Sequence, residues 1–176
     1  MKYVLLDRDG VLIRDPADFR ITSIEKIELF DDTISALKTL HENGFSAIIV
    51  TNQAGIAEGV LSETDYDELH GAVVRLIEES GIEVVTTYMC PHAEADECTC
   101  RKPEPKMLLQ AIDDYELDPN TLFMVGDHRS DILAGHAAGV RTILVHTATG
   151  SYEEAPEADY EAENLTEAAK IIIENS

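Results

Sequence analysis

At 176 residues, 44% of them apolar and 27% charged, the chain has the composition of a globular protein and the length to bury a full core. Its one extreme is charge: 35 acidic against 13 basic residues give a formal −22. That balance counts against nucleic-acid binding through a broad basic face, and it leaves any phosphate to a few local cations and a metal.

No stretch approaches the ~20 apolar residues of a membrane span, and no basic region followed by a long apolar run marks a leader, so a cytoplasmic protein is expected. No repeat, low-complexity tract or Gly/Ser linker divides the sequence, and one domain over residues 1–176 is expected. In chain order, the first short apolar run is Val4 to Leu6, ending in "DRDG". Asp7 and Asp9, one residue apart, repel each other, which is tolerated where a cation or a reaction uses them. A polar turn is the alternative.

Ile34, Leu37 and Leu40 then form a helical stripe, followed by an apolar run from Ala47 to Val50 that ends in "TNQAG". Tyr66, Leu69, Val73, Leu76 and Ile77 form a second stripe, and Val84 to Met89 a third run ending in "CPH". Met107, Leu108, Ala111 and Ile112 give a third stripe. Leu122 to Val125 ends in "GDHRSD", Thr142 to Val145 follows, and "NLTEAAKIIIENS" reads as a closing helix capped by Asn164 or Thr166. Short apolar strands alternating with amphipathic helices indicate an α/β fold, a doubly wound parallel sheet with helices on both faces. In such sheets ligands bind beyond the carboxyl ends of the strands, where four polar clusters would converge here.

Those clusters have a chemistry. Asp7, Asp9, Asp127 and Asp131 are hard oxygen ligands suited to Mg²⁺ beside a phosphate. A calcium loop starting at Asp7 fails, since its fifth, sixth and twelfth positions are Val11, Leu12 and Asp18. Thr51, Asn52 and Gln53 offer a hydroxyl and amides near a strand end, and Arg101 and Lys102 are local cations in an acidic chain. All three cysteines fall in "CPHAEADECTC". Cys90, His92, Cys98 and Cys100 match a tetrahedral zinc site with every position filled by protein. Incidental buried cysteines, or a Cys98–Cys100 redox pair closing a strained loop, are the other readings. His41, His70, His136 and His146 carry no functional signal, while His128 directly follows Asp127.

Taken together, "LLDRDGV", "VTNQ", "RKPEP" and "MVGDHRSD" resemble, in order and spacing, the motifs of the haloacid dehalogenase-like phosphatases. "TNQAG" and the cysteine loop leading into "CRKP" are most similar to the branch of heptose bisphosphate and histidinol-phosphate phosphatases. The resemblance implies Asp7 as the nucleophile that becomes an aspartyl phosphate, and Asp9 as the general acid and base. It implies Mg²⁺ held by Asp7, the Asp9 carbonyl and Asp127, with Asp131 orienting Lys102 or a metal-bound water from behind. Thr51 and Lys102 would neutralise the transferring phosphoryl oxygens, while Asn52, Gln53 and Arg101 would meet the substrate. Either Lys102 or Lys106 could supply the ammonium; the "RKP" context favours Lys102 and leaves Lys106 exposed at a helix start. Zinc would be structural, aiming Arg101 at the substrate.

No insertion is large enough for a cap domain, so the zinc loop and "RDPADFRITSIEK" are the expected rims of the pocket. "TNQAGIAEG" and "RKPEPKMLL" resemble the heptose enzymes, although Glu58 and Lys106 stand where those have Arg and Gly. "PADFRI" and the gap between His92 and Cys98 resemble histidinol-phosphate phosphatase. The sugar bisphosphate is the favoured substrate and histidinol phosphate the alternative. A polynucleotide 3′-phosphatase conflicts with the charge, and a non-catalytic zinc module with the intact Asp7, Asp9 and Lys102. A monomer that binds a small phosphorylated metabolite, without nucleic acid or membrane, is expected.

Overall fold

β-Branched and aliphatic runs build the strands: β1 Lys2–Leu6, β2 Phe45–Asn52, β3 Val84–Cys90, β4 Phe123–Gly126, β5 Arg141–Val145 and β6 Tyr160–Ala162. In the computed structural model, which describes residues 2–14, 21–79, 81–146 and 154–176, they form one parallel sheet in the order β3-β2-β1-β4-β5-β6. The helices are α1 Thr33–Glu42, α2 Glu63–Glu78, α3 Lys106–Asp114, α4 Arg129–Ala138 and α5 Leu165–Glu174. Alternation along each strand divides the core in two. Val4, Leu6, Ala47, Ile49, Phe123 and Val125 pack with Leu37, Val73 and Ile172 from α1, α2 and α5. Leu5, Ile48, Val50 and Met124 pack with Leu108 and Ala134 from α3 and α4. The expected doubly wound α/β fold is therefore present. Among the described residues, no helix is long and apolar enough to cross a membrane.

Local chemistry sets the helix ends. The Ser62 hydroxyl accepts from the Asp65 amide while the Asp65 carboxylate accepts from the Ser62 amide, a reciprocal cap on α2. Asn164, one of the two residues expected to cap α5, accepts from the Glu167 amide at 2.9 Å. Thr166 lies inside that helix and donates both its amide and its hydroxyl to Asp32, tying α5 to the start of α1.

The expected stripes need small corrections. Leu76 is 40% exposed, and Ala72 takes its place on the buried face of α2. Ile34 and Ile112 sit half-buried at the edges of their stripes. Helix α4 and strand β6 carry no pattern that the sequence reading used. The buried face of α4 is mostly small residues, Ala134, Gly135 and Ala138, because the helix lies close on the sheet: a Cβ on Gly135 would come within 2.5 Å of the Thr142 side chain. Small residues give little hydrophobic periodicity. Strand β6 is three residues long with one buried, too short to show an alternation.

Candidate active site

The strand order reverses at β1, so a crevice opens where the carboxyl ends of β1 and β4 lie side by side. Asp7 leaves β1 there, its amide donating to the Val125 carbonyl at 2.9 Å, and Asp127 leaves β4. The chain then folds back: the Ile13 amide donates to the Arg8 carbonyl and the Gly10 amide to the Ile13 carbonyl. These two bonds pair residues 9 and 13 without using the Asp9 carbonyl, the backbone group expected to face a metal. Gly10 turns this corner at a φ of 82°, and a Cβ there would lie 2.0 Å from an Asp127 carboxylate oxygen. Glycine is thus required by conformation and by space.

Lys102, 2% exposed, organises the floor of the site. Its ammonium lies 2.9 Å from Asp7 Oδ1 and 2.6 Å from Asp131 Oδ1, and donates to the Val50 carbonyl at 2.7 Å. Burial works against the ammonium, but Asp131 and Asp7 outweigh it and raise its pKa. Burial pushes the Asp7 carboxyl up to about 7, against the lowering pull of Lys102. Asp131 also accepts from the His128 amide at the start of α4, so its carboxylate bridges that helix end and Lys102. Lys106 is the exposed first residue of α3, away from this cluster.

Asn52 and Gln53, expected to meet the substrate, also hold other site residues. The Asn52 side chain accepts from the Lys102 amide at 3.0 Å and donates to the Lys102 carbonyl at 3.1 Å, clamping that backbone to β2. Gln53 Nε2 donates to Asp9 Oδ2 at 2.6 Å and to the Thr51 hydroxyl at 2.8 Å. The fully buried Thr51 hydroxyl reaches Asp9 Oδ2 at 3.3 Å. Both amides still line the cleft, of about 220 Å³, with Asp7, Asp9, Ile21, Leu61, Arg101 and His128. Of the expected "RDPADFRITSIEK" rim, Asp18 and the rest of residues 15–20 lie outside the described residues.

One site residue was missed. Arg8, 3% exposed, grips Asp9 through two nitrogens, Nε to Oδ2 at 3.0 Å and Nη2 to Oδ1 at 2.9 Å. Its signal was in plain view, a basic residue between two aspartates in a chain with 13 Lys and Arg. Residue parity hid it, because residue 8 of a strand should face away from 7 and 9.

The donor sets fit two metals. Carboxylate oxygens of Asp7, Asp127 and Asp131 lie within 4.8 Å of one another. With Arg8 occupied by Asp9, the carboxylates of Asp7, Asp127 and Asp131 face the one cation of Lys102, an excess of two negative charges suited to one divalent ion. Both Asp131 oxygens are engaged, Oδ1 by Lys102 and Oδ2 by the His128 amide, whereas Asp7 meets Lys102 and the Arg8 amide through Oδ1. Asp7 Oδ2, with Asp127 beside it, is therefore placed for a hard cation that keeps several waters. At the second site, Cys90, His92, Cys98 and Cys100 converge, with the three sulfurs 3.0 to 3.6 Å apart and His92 Nδ1 3.2 Å from Cys100. A tetrahedron of ~2.3 Å zinc–sulfur bonds has edges of about 3.8 Å, close to this spacing. The Arg101 amide points at Cys98 Sγ at 3.4 Å and its guanidinium donates to the His92 carbonyl at 3.3 Å, so the loop carries Arg101 to the cleft.

The other histidines have local partners. His70 stacks on Tyr66 and meets Thr87, His136 lies between Thr142 and Asp159, and His146 pairs with Glu161. His41 lies on an exposed position of α1, and His128 sits 3.8 Å from Asp127 at the cleft.

A model of the HAD-hydrolase-like family matches residues 99–168. The D-glycero-beta-D-manno-heptose-1,7-bisphosphate 7-phosphatase of Pasteurella multocida (strain Pm70) is 37% identical over 179 residues, which cover 97% of this chain and 96% of that protein. The histidine biosynthesis bifunctional protein HisB of Actinobacillus pleuropneumoniae serotype 3 (strain JL03) is 34% identical over 144 residues, covering 81% of this chain but 40% of that protein. Among solved structures, the D,D-heptose 1,7-bisphosphate phosphatase from B. bronchiseptica, complexed with magnesium and phosphate, aligns with a TM-score of 0.87 and 28% identity over 100% of each chain.

Proposed function

The chain belongs to the haloacid dehalogenase-like phosphatases, and from that membership we propose that it removes the 7-phosphate of D-glycero-D-manno-heptose 1,7-bisphosphate with Mg²⁺. The observation that carries the reaction class is the buried cluster of Asp7, Lys102 and Asp131 at the sheet's switch point, beside Asp127 and Asp9. Similarity to the heptose enzymes over nearly the whole chain supports the substrate.

Asp7 attacks phosphorus through a carboxylate oxygen, and the bond from phosphorus to the sugar oxygen breaks as Asp9 gives that oxygen its proton. Asp9, now a carboxylate, takes a proton from a water whose oxygen attacks phosphorus, releasing phosphate and restoring Asp7 and the protonated Asp9. Lys102 faces the nucleophile and balances charge building on the phosphoryl group, and the Thr51 hydroxyl does the same from β2. Asp131 and Asn52 fix the Lys102 side chain and backbone so that no reorganisation accompanies transfer. Asp7, Asp127 and the Asp9 carbonyl would hold Mg²⁺, which would supply the charge that lets an anionic nucleophile approach an anionic phosphate. Arg101 is placed for the far end of the substrate. Cys90, His92, Cys98 and Cys100 would hold a structural zinc that keeps Arg101 there. A monomeric, cytoplasmic enzyme built as one domain completes this reading.

Histidinol phosphate is the second reading, favoured by the HisB relative and by the five residues separating His92 from Cys98. Phosphate release from the two substrates, with Mg²⁺ and one preparation of enzyme, tests the choice. A higher kcat/KM for the sugar is expected; a higher value for histidinol phosphate would transfer the enzyme to that substrate.

A further inference from the structure

We propose that Arg8 is the positioning residue for Asp9, fixing which oxygen of that carboxylate handles the proton; this rests on reading the chain as an aspartyl phosphatase. A buried guanidinium must be paired on most of its donors to be tolerated. Arg8 is buried, and its planar fork meets both oxygens of Asp9. Behind it the guanidinium lies over the Tyr66 ring, 5.5 Å from the centroid. Tyr66, itself 3% exposed, stacks on His70 at 5.4 Å with the rings 3° from parallel, and His70 Nε2 meets the Thr87 hydroxyl at 2.9 Å. Arg8 is thus seated against α2, which His70 ties to β3, and its fork transmits that fixed position to the tip of β1.

The two oxygens of Asp9 are not equivalent. Oδ2 faces Arg8 Nε at 3.0 Å, Gln53 Nε2 at 2.6 Å and the Thr51 hydroxyl at 3.3 Å. Oδ1 accepts from Arg8 Nη2 alone among the described residues. A carboxylate oxygen has two lone-pair positions, so Arg8 Nε and Gln53 Nε2 saturate Oδ2, the longer Thr51 contact can turn to the phosphoryl group, and Oδ1 keeps one position for the mobile proton. When the substrate bond breaks, the proton passes from Oδ1 to the leaving oxygen. When water attacks, the proton returns from water to Oδ1. Arg8 stays cationic and exchanges no proton in either step.

A purely structural ion pair would lower the melting temperature when broken, yet leave the turnover of folded enzyme alone. A positioning residue gives a different pattern. In the full chain loaded with Mg²⁺, Arg8→Ala should lower kcat for the sugar phosphate by about 100-fold, the low end of a general acid–base contribution, with KM within about threefold. Free guanidinium should restore at least about tenfold of that loss, by refilling the cavity that the fork occupied. The burst of nitrophenolate from p-nitrophenyl phosphate, whose leaving group needs no proton, should be slowed far less than sugar-phosphate cleavage. Arg8→Lys, which keeps the charge and loses the fork, should also stay slow, and it answers the question if the alanine variant does not fold. Wild-type kcat in Arg8→Lys, absence of guanidinium rescue in a folded Arg8→Ala, or equal slowing of the two phosphorylation steps would each overturn the proposal. Wild-type enzyme that releases phosphate from neither substrate would instead refute the phosphatase reading itself.

Discussion

Lys102 touches Asp7, Asp131 and the Val50 carbonyl at once, so its replacement affects charge and position together. Lys102→Met should lower kcat by about a thousandfold, the upper range for losing one electrostatic stabiliser of a transition state. Asp7→Asn removes the proposed nucleophile yet relieves repulsion with Asp131 and Asp9, so turnover should vanish while the melting temperature holds within a few degrees. Wild-type turnover by Asp7→Asn would sink the assigned role. The acids and Lys102 were legible in the sequence because ordered motifs at strand ends define positions, and the "RKP" context separated Lys102 from Lys106. The inward duties of Asn52 and Gln53 were not legible, since an amide at a strand tip can face a ligand or a neighbour, and only three-dimensional partners decide.

The cysteine loop and α2 act as units, and each has a test. Cys98→Ser removes one of the four proposed zinc ligands, so zinc content and thermal stability should fall together, followed by a rise in KM as Arg101 loses its anchor. Full zinc stoichiometry in that variant would show the ligand set to be wrong. In α2, burial and then the nearby Arg8 charge lower His70 to about 4, from an ordinary value of 6.5. Between those values the unfolded chain binds more protons than the folded one, so stability must fall as pH drops from 6.5 toward 4. His70→Gln should flatten that part of the profile, giving a smaller loss of melting temperature between pH 7 and 5 than wild type. An unchanged profile would show that His70 stays accessible. At this scale the sequence revealed elements with strong periodicity and missed α4, whose close approach to the sheet demands small residues.

The whole molecule combines a formal charge of −22 with a substrate that is itself anionic. Far from the site, enzyme and substrate repel, and the few cations at the cleft act only at short range. Salt screens the repulsion, so kcat/KM should stay level or rise modestly between about 50 and 200 mM salt. A nucleic-acid phosphatase would lose orders of magnitude over that interval. The sheet order explains why dispersed motifs form one site: with β1 between β2 and β4 at the reversal point, segments from residues 7, 51, 102 and 127 meet at one edge. Strand and helix alternation made that architecture readable, because a parallel sheet buried on both faces leaves its strands almost wholly apolar. The rest of the rim depends on residues 15–20, outside the described structure. The central claim is that phosphate passes through Asp7, and one measurement tests it directly: a single turnover with Mg²⁺, quenched in acid, reduced with borohydride and analysed by peptide mass spectrometry. An aspartyl phosphate at Asp7 would be reduced to homoserine at that position. Unmodified Asp7 at a time when the enzyme is turning over at full rate, or homoserine at another aspartate, would contradict the account.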